Sequence, residues 1–201
     1  MGNTDKFDML ANQYDSSERI QIAKLSSDAI RDYLVNTQTK DAIDFGCGTG
    51  LVGMNLLDKF KSILFLDTSQ NMLNIVTKKI YESNIVNAST MCFDFETSQH
   101  TNIHADYIFM VFVLLHIKDY VSILTKLHDV LNIEGHLIIV DFIKNEKVAS
   151  DLVHNGFELN ALNETMAKIG FNKIQSKTFY SGSNLFMGQE ASLFILDAIK
   201  S

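Results

Sequence analysis

The residues of this chain that could do chemistry follow short apolar runs. Asp44 sits inside the run Ile43-Asp44-Phe45, and Gly46, Gly48 and Gly50 come next at alternate positions, with Cys47 and Thr49 between them. Without a Cβ, such a loop can adopt positive φ and press its backbone against a ligand. A helix starting after it offers unpaired N–H groups and a partial positive charge to an anionic group. Residues 41–53 therefore read as a strand, a ligand-cradling loop and a helix start. Asp67 closes a second apolar run, 62–66. A carboxylate has two oxygens and only acceptor capacity, which suits a ribose diol. Thr68 and Met72 open the following helix, Asp94-Phe95 follows a third run, Val111 falls in a fourth, and His116 comes just after it. An imidazole, with an unperturbed pKa of about 6.5, can take a proton from a substrate.

Those residues need a frame of alternating strands and helices. Apolar runs predict strands over 42–45, 62–66, 86–93, 107–112 and 136–142. Helical spacing predicts helices over 51–57, from 68 onward, over 119–131 and over 159–169, the last stopped by Gly170. Upstream, Asp15-Ser16-Ser17-Glu18 has the form of a helix start, and a long amphipathic helix carrying Ile20 to Leu34 follows. Near the end, 171–179 and 190–198 have strand character, with 180–188 as a glycine-bearing hairpin loop between them.

Composition narrows the function. With 201 residues, 46% of them apolar and 20% charged, the chain suits one globular domain with a sizeable core. The net charge is −7 and no dense Lys/Arg cluster is present, which argues against a nucleic-acid substrate. No apolar run is long enough for a membrane span, and the polar N-terminus does not read as a signal peptide. Cys47 and Cys92 are too few for a disulfide framework, so a reduced, cytoplasmic setting is expected. No metal is assigned to the site.

The order of these motifs resembles the class I methyltransferases, small-molecule type, which bind S-adenosylmethionine (SAM). The resemblance covers roughly residues 40–198. It implies a seven-stranded Rossmann-like α/β sheet in the order 3-2-1-4-5-7-6, its seventh strand antiparallel, with helices on both faces. Residues 1–38 would form a helical lid and 40–198 the core of a single domain. By the resemblance, Gly46, Cys47, Gly48 and Gly50 cradle the methionyl part of SAM, and Asp44 touches its amino group directly or through water. Asp67 would hold the ribose, with Thr68 and Met72 near the adenine. Asp94 and Phe95 would bond and flank the adenine, and Val111 would lie beside the adenosine. Tyr14, His116 and His154 would face a small-molecule acceptor, with His116 as candidate base. The family often reads Leu-His-His-Ile where this chain has Leu114-Leu115-His116-Ile117, and Leu-Lys-Pro-Gly-Gly where it has Leu131-Asn132-Ile133-Glu134-Gly135-His136. His136 should be structural.

Other readings remain open. Gly48-Thr49-Gly50-Leu51-Val52-Gly53 also fits the dinucleotide fingerprint. A NAD-dependent oxidoreductase would then continue with a parallel sixth strand. A SAM-binding protein without catalysis is the other alternative. Individual residues have plain structural roles open to them as well: Asp67 as a helix cap, Phe95 as core, His116 as a helix cap or packing residue, and Tyr14 as a surface staple.

Overall fold

The computed structural model describes residues 14–95, 97 and 102–201. Residues 1–13 of the expected lid lie outside them. In chain order the elements are α1 (Ser17–Arg31), β1 (Asp41–Phe45), α2 (Leu51–Leu56), β2 (Ser62–Asp67), α3 (Gln70–Glu82), β3 (Ala88–Cys92), β4 (Ala105–Val111), α4 (Tyr120–Val130), β5 (Leu131–Phe142), α5 (Leu159–Ile169), β6 (Phe171–Phe186) and β7 (Gln189–Lys200). The strands form one sheet in the order β3-β2-β1-β4-β5-β7-β6. β1 to β5 pair in parallel, and β7 runs antiparallel to both β5 and β6. The closing hairpin is thus the one the methyltransferase resemblance implies, not the parallel sixth strand of a NAD-binding domain.

The central strands are buried on both sides, and the period of two assigns each residue a face. Tyr107 and Phe109 of β4, with Ile138 and Val140 of β5, pack with Ile30 of α1, Val52 and Leu56 of α2 and Val76 of α3. Ile108 and Met110, with Leu137 and Ile139, pack with Ile123, Leu124 and Leu127 of α4 and Leu162 and Met166 of α5. Helices therefore cover both faces.

Three local expectations are revised. The strand expected over 136–142 starts earlier: Leu131 is already extended and pairs with Ala105, and β5 absorbs an irregularity before His136 pairs with Tyr107. The hairpin loop expected over 180–188 shrinks to Met187-Gly188, both at positive φ, as a tight two-residue turn requires. Residues 180–186 instead continue β6, paired with β7 through register shifts. Finally, no residue of α1 lines the cavity described below. It starts at the Ser16 cap, packs on α2 through Asn55–Ser27 and on the turn after it through Arg31–Asp58, and buries Ile30.

Candidate functional site

A cavity of about 170 Å³ opens where the parallel strands end. Its walls come from four strand ends: Phe45, Gly46 and Gly48 after β1; Leu66, Asp67, Thr68 and Met72 at β2 and α3; Phe93, Asp94 and Phe95 after β3; and Val111, Phe112, Val113, His116 and Ile117 at the end of β4 and beyond it. Ile123 of α4 and Tyr14 complete the lining. This is the place where a doubly wound sheet changes direction, flanked by β1, where ligands gather.

The glycine loop is held by β2. The N–H groups of Gly46 and Cys47 donate to Leu66 O at 2.8 and 3.1 Å, and that of Gly48 donates to Asp67 Oδ2 at 2.8 Å. Asp67 Oδ1 accepts from Ser69 N–H at 2.9 Å. The helix cap of α3 is Ser69, not Asp67, so the carboxylate at the strand end is committed to the cavity wall. A carboxylate oxygen can accept more than one hydrogen bond, so both oxygens can still serve a diol. Gly46 has φ +67°, and a Cβ there would lie 2.6 Å from Val113 Cγ2. Only glycine joins these two walls so closely.

Asp44 is not in the lining. It is buried beneath the loop, and its Oδ2 accepts the Gly53 N–H at 3.0 Å. Burial pushes its carboxyl up to about 7, against the bond from Gly53, and the neighbouring Asp67 raises it further. Asp44 thus supports the loop from below rather than forming the cavity wall. Cys47 and Gly50 are likewise absent from the lining. Gly50 caps α2 in the left-handed conformation. The Cys47 thiol is pushed well up, first by burial and then by Asp44 and Asp67.

Phe95 combines core and site. It is buried, meets Phe45 and Phe93 edge-on at 5.4 and 4.8 Å, and still lines the cavity. Lys126 Nζ donates to its carbonyl and fastens this segment to α4. Tyr14 lines the cavity rather than stapling a surface, and burial raises its phenol above the usual range.

Beyond β4 the backbone turns at Phe112, which takes φ +57°, unusual for a bulky residue. The short turn Leu114–His116 follows and brings His116 to the cavity. It is clamped from two sides. Asp141 of β5 accepts Leu115 N–H at 3.1 Å and its neighbour Phe142 N–H at 2.8 Å. Its carboxyl is fully buried and is pushed up to about 7 by that burial, opposed by bonds from Phe142, Leu115 and Leu114. From the other side His154 donates its N–H to Leu115 O, and its Nε2 lies 2.8 Å from Ile117 O. His154 is therefore a brace, packed against Tyr120 and Phe157, and not part of the lining. Phe112 packs on Phe142, which stacks on Phe186 at the end of β6. His136 has the structural part expected of it, with Nδ1 2.9 Å from Asp197 and its ring stacked on Tyr107.

Sequence reasoning missed Phe45, Leu66, Phe93, Phe112, Val113, Ile117 and Ile123 as lining residues, and Asp141 as a support. Asp141 carried a signal: it is an acid inside the apolar run Leu137–Phe142, as Asp44 is inside 42–45.

Comparison with known proteins agrees with this geometry. The family model described as a methyltransferase domain matches residues 43–137. An uncharacterised methyltransferase of Schizosaccharomyces pombe is 27% identical over 157 residues, covering 75% of this chain and 52% of that protein. The magnesium protoporphyrin IX methyltransferase of Synechocystis PCC 6803, solved with bound S-adenosylhomocysteine (SAH), gives a TM-score of 0.74 at 16% identity, covering 99% of this chain and 95% of that one. Haemonchus contortus phosphoethanolamine N-methyltransferase 2, solved with phosphomonomethylethanolamine and SAH, gives 0.73 at 15% identity, covering 87% and 52%. The fold is that of the class I methyltransferases. In sequence the chain is similar to methyltransferase domains, and its structural neighbours include methyltransferases solved with SAM or SAH bound. It spans about half the length of the curated relative, 52%. Among the described residues no helix is long and apolar enough to cross a membrane.

Proposed function

We propose that this chain transfers a methyl group from SAM to a small-molecule acceptor by in-line displacement. One observation carries the reading: Asp67, at the end of β2, lines the cavity while also anchoring the glycine loop through Gly48 N–H. The chain's residues suit the cofactor. Asp67 supplies carboxylate oxygens for a ribose diol, Leu66, Phe95 and Val111 supply apolar walls for a purine, and Gly46 and Gly48 bring bare backbone to the third side. Asp94 would meet the adenine amino group, with Thr68 and Met72 beside it. When bound, SAM supplies an electrophilic methyl carbon on a positive sulfonium.

The rest falls to the protein. Phe112, Val113, Ile117 and Ile123 exclude water from the far side of the cavity, and holding the acceptor there makes the reaction effectively unimolecular. His116 lines this cavity on its clamped turn and would take a proton from the acceptor, and Tyr14 borders the same cavity.

Calorimetry with SAM, SAH and NAD tests the cofactor assignment. We expect SAM and SAH to bind in the micromolar range, about −8 kcal/mol, and NAD not to bind. NAD binding without SAM binding would overturn the reading. Incubating the protein with methyl-labelled SAM and fractionated small-molecule extracts then tests transfer, and labelled product is the expected outcome.

A further inference from the structure

Asp15, Thr49 and Lys79 are distant in sequence and meet beside the glycine loop. The buried Thr49 donates its hydroxyl to Asp15 Oδ1. Lys79 Nζ donates to Asp15 Oδ2 at 2.8 Å and to the Thr49 carbonyl at 2.9 Å. Three elements are thereby tied together: the segment before α1, the glycine loop, and the last turn of α3. None of the three residues lines the cavity, so the cluster does not hold a ligand itself.

Its neighbour does. Tyr14 directly precedes Asp15, lines the cavity, and sits with Cε1 3.7 Å from where a Cβ on Gly48 would stand. Arg19 steadies Tyr14 from the helix side, with Nη1 2.9 Å from the Tyr14 carbonyl and the guanidinium carbon 4.1 Å from the ring centroid. Tyr14, at the cavity wall, is therefore flanked by Arg19 on one side and by the Asp15 cluster on the other.

We propose that Asp15, Thr49 and Lys79 form a clasp that holds Tyr14 over the cofactor cavity and so sets how long SAM or SAH stays bound. Asp15 and Lys79 are then positioning residues for the cofactor, acting through Tyr14. The proposal rests on the functional reading above. An isolated, partly exposed ion pair contributes little. Here the same carboxylate also takes a hydroxyl bond from a buried side chain, and the same ammonium also binds a backbone carbonyl, so one geometry satisfies several partners. The clasp orders the strap in advance, and the benefit of such pre-ordering shows chiefly in the dissociation rate.

The test is the SAH dissociation rate by stopped flow, with thermal unfolding of each ligand-free variant alongside. Lys79→Met and Asp15→Asn should each speed dissociation roughly 5- to 20-fold, with the unfolding midpoint nearly unchanged, and Lys79→Arg should restore part of the loss. In a Tyr14→Ala background, Lys79→Met should add nothing further. Unchanged dissociation in both single variants would overturn the clasp, as would an equal acceleration with and without Tyr14. Wild-type protein that binds no SAH would instead refute the functional reading. Amide exchange across residues 14–20 of the ligand-free protein then decides the clasp alone: faster exchange in Lys79→Met supports it, and unchanged exchange rejects it.

Discussion

The two loops that wall the cavity, one after β1 and one after β4, each rest on a buried carboxylate, but on opposite faces of the sheet. Asp44 shares the face of Ala42 and takes the N–H of Gly53. Asp141 shares the face of Leu137 and Ile139 and takes the N–H of Leu115. Both carboxyls are raised to about 7 by burial. Above these supports the two sides differ. The glycine loop presents main chain to the cavity and is tied again by Asp67. The 112–117 segment presents side chains and is braced by His154. The wall after β1 is thus built from backbone, which spacing alone can specify, while the wall after β4 is built from particular side chains.

Four substitutions test that division. The largest effect is expected on the side-chain wall: His116→Ala should lower kcat about 10²- to 10⁴-fold on an identified acceptor while sparing SAM affinity. An unaltered kcat with a raised KM would leave His116 as a shaping residue only. On the backbone wall, Asp67→Ala should weaken SAM binding by about 2–4 kcal/mol, since the ribose partner and the Gly48 anchor go together. Calorimetry giving wild-type affinity would dismiss the ribose assignment. Gly53→Ala strikes the support beneath that wall. Its Cβ would stand 2.5 Å from Phe65 Cε1 and 2.6 Å from Asp44 Oδ2. A loss of about 1–3 kcal/mol in urea unfolding is expected, and an unchanged midpoint would mean the contact relaxes freely.

The smallest signal is a slope. Asp141 in the folded state titrates at about 7, against about 3.9 when unfolded. The folded protein therefore binds the extra proton between those values, and this carboxyl's contribution to stability falls as pH rises from about 4 to about 7, then levels off. Asp141→Asn should remove that share, flattening the stability profile by no more than about 1.4 kcal/mol per pH unit. Identical slopes in the two proteins would mean that the amides of Leu114, Leu115 and Phe142 already keep the carboxylate ionised.

Much of this was legible in the chain because it is local. An acid or glycine at the end of an apolar run marks a strand end, which located Asp67, Asp94 and the glycine loop. Gly170 stopped α5 where expected. Pairings between distant segments were not legible. Nothing near His154 announces that its ring reaches Ile117, and nothing near Lys79 announces Asp15. The polar, glycine-bearing stretch 180–186 has the composition of a loop, yet the opposing β7 draws it into the ladder. Asp44 was assigned a ligand from its position, whereas the structure turns it inward, because a buried carboxylate needs the nearest unpaired amide more than it needs the cavity.

The packed rings Phe186, Phe142 and Phe112 carry a consequence for how such a protein diversifies. They form a lever running from the tip of the last hairpin to the wall of the cavity, with contacts of 4.1 and 5.0 Å between successive ring centres. The hairpin tip itself lies outside the cavity lining. Through the lever, a change of ring size or tilt at Phe186 would reach Phe112 in the cavity wall. The cavity can therefore be retuned from its periphery while the glycine loop and its carboxylates stay as they are.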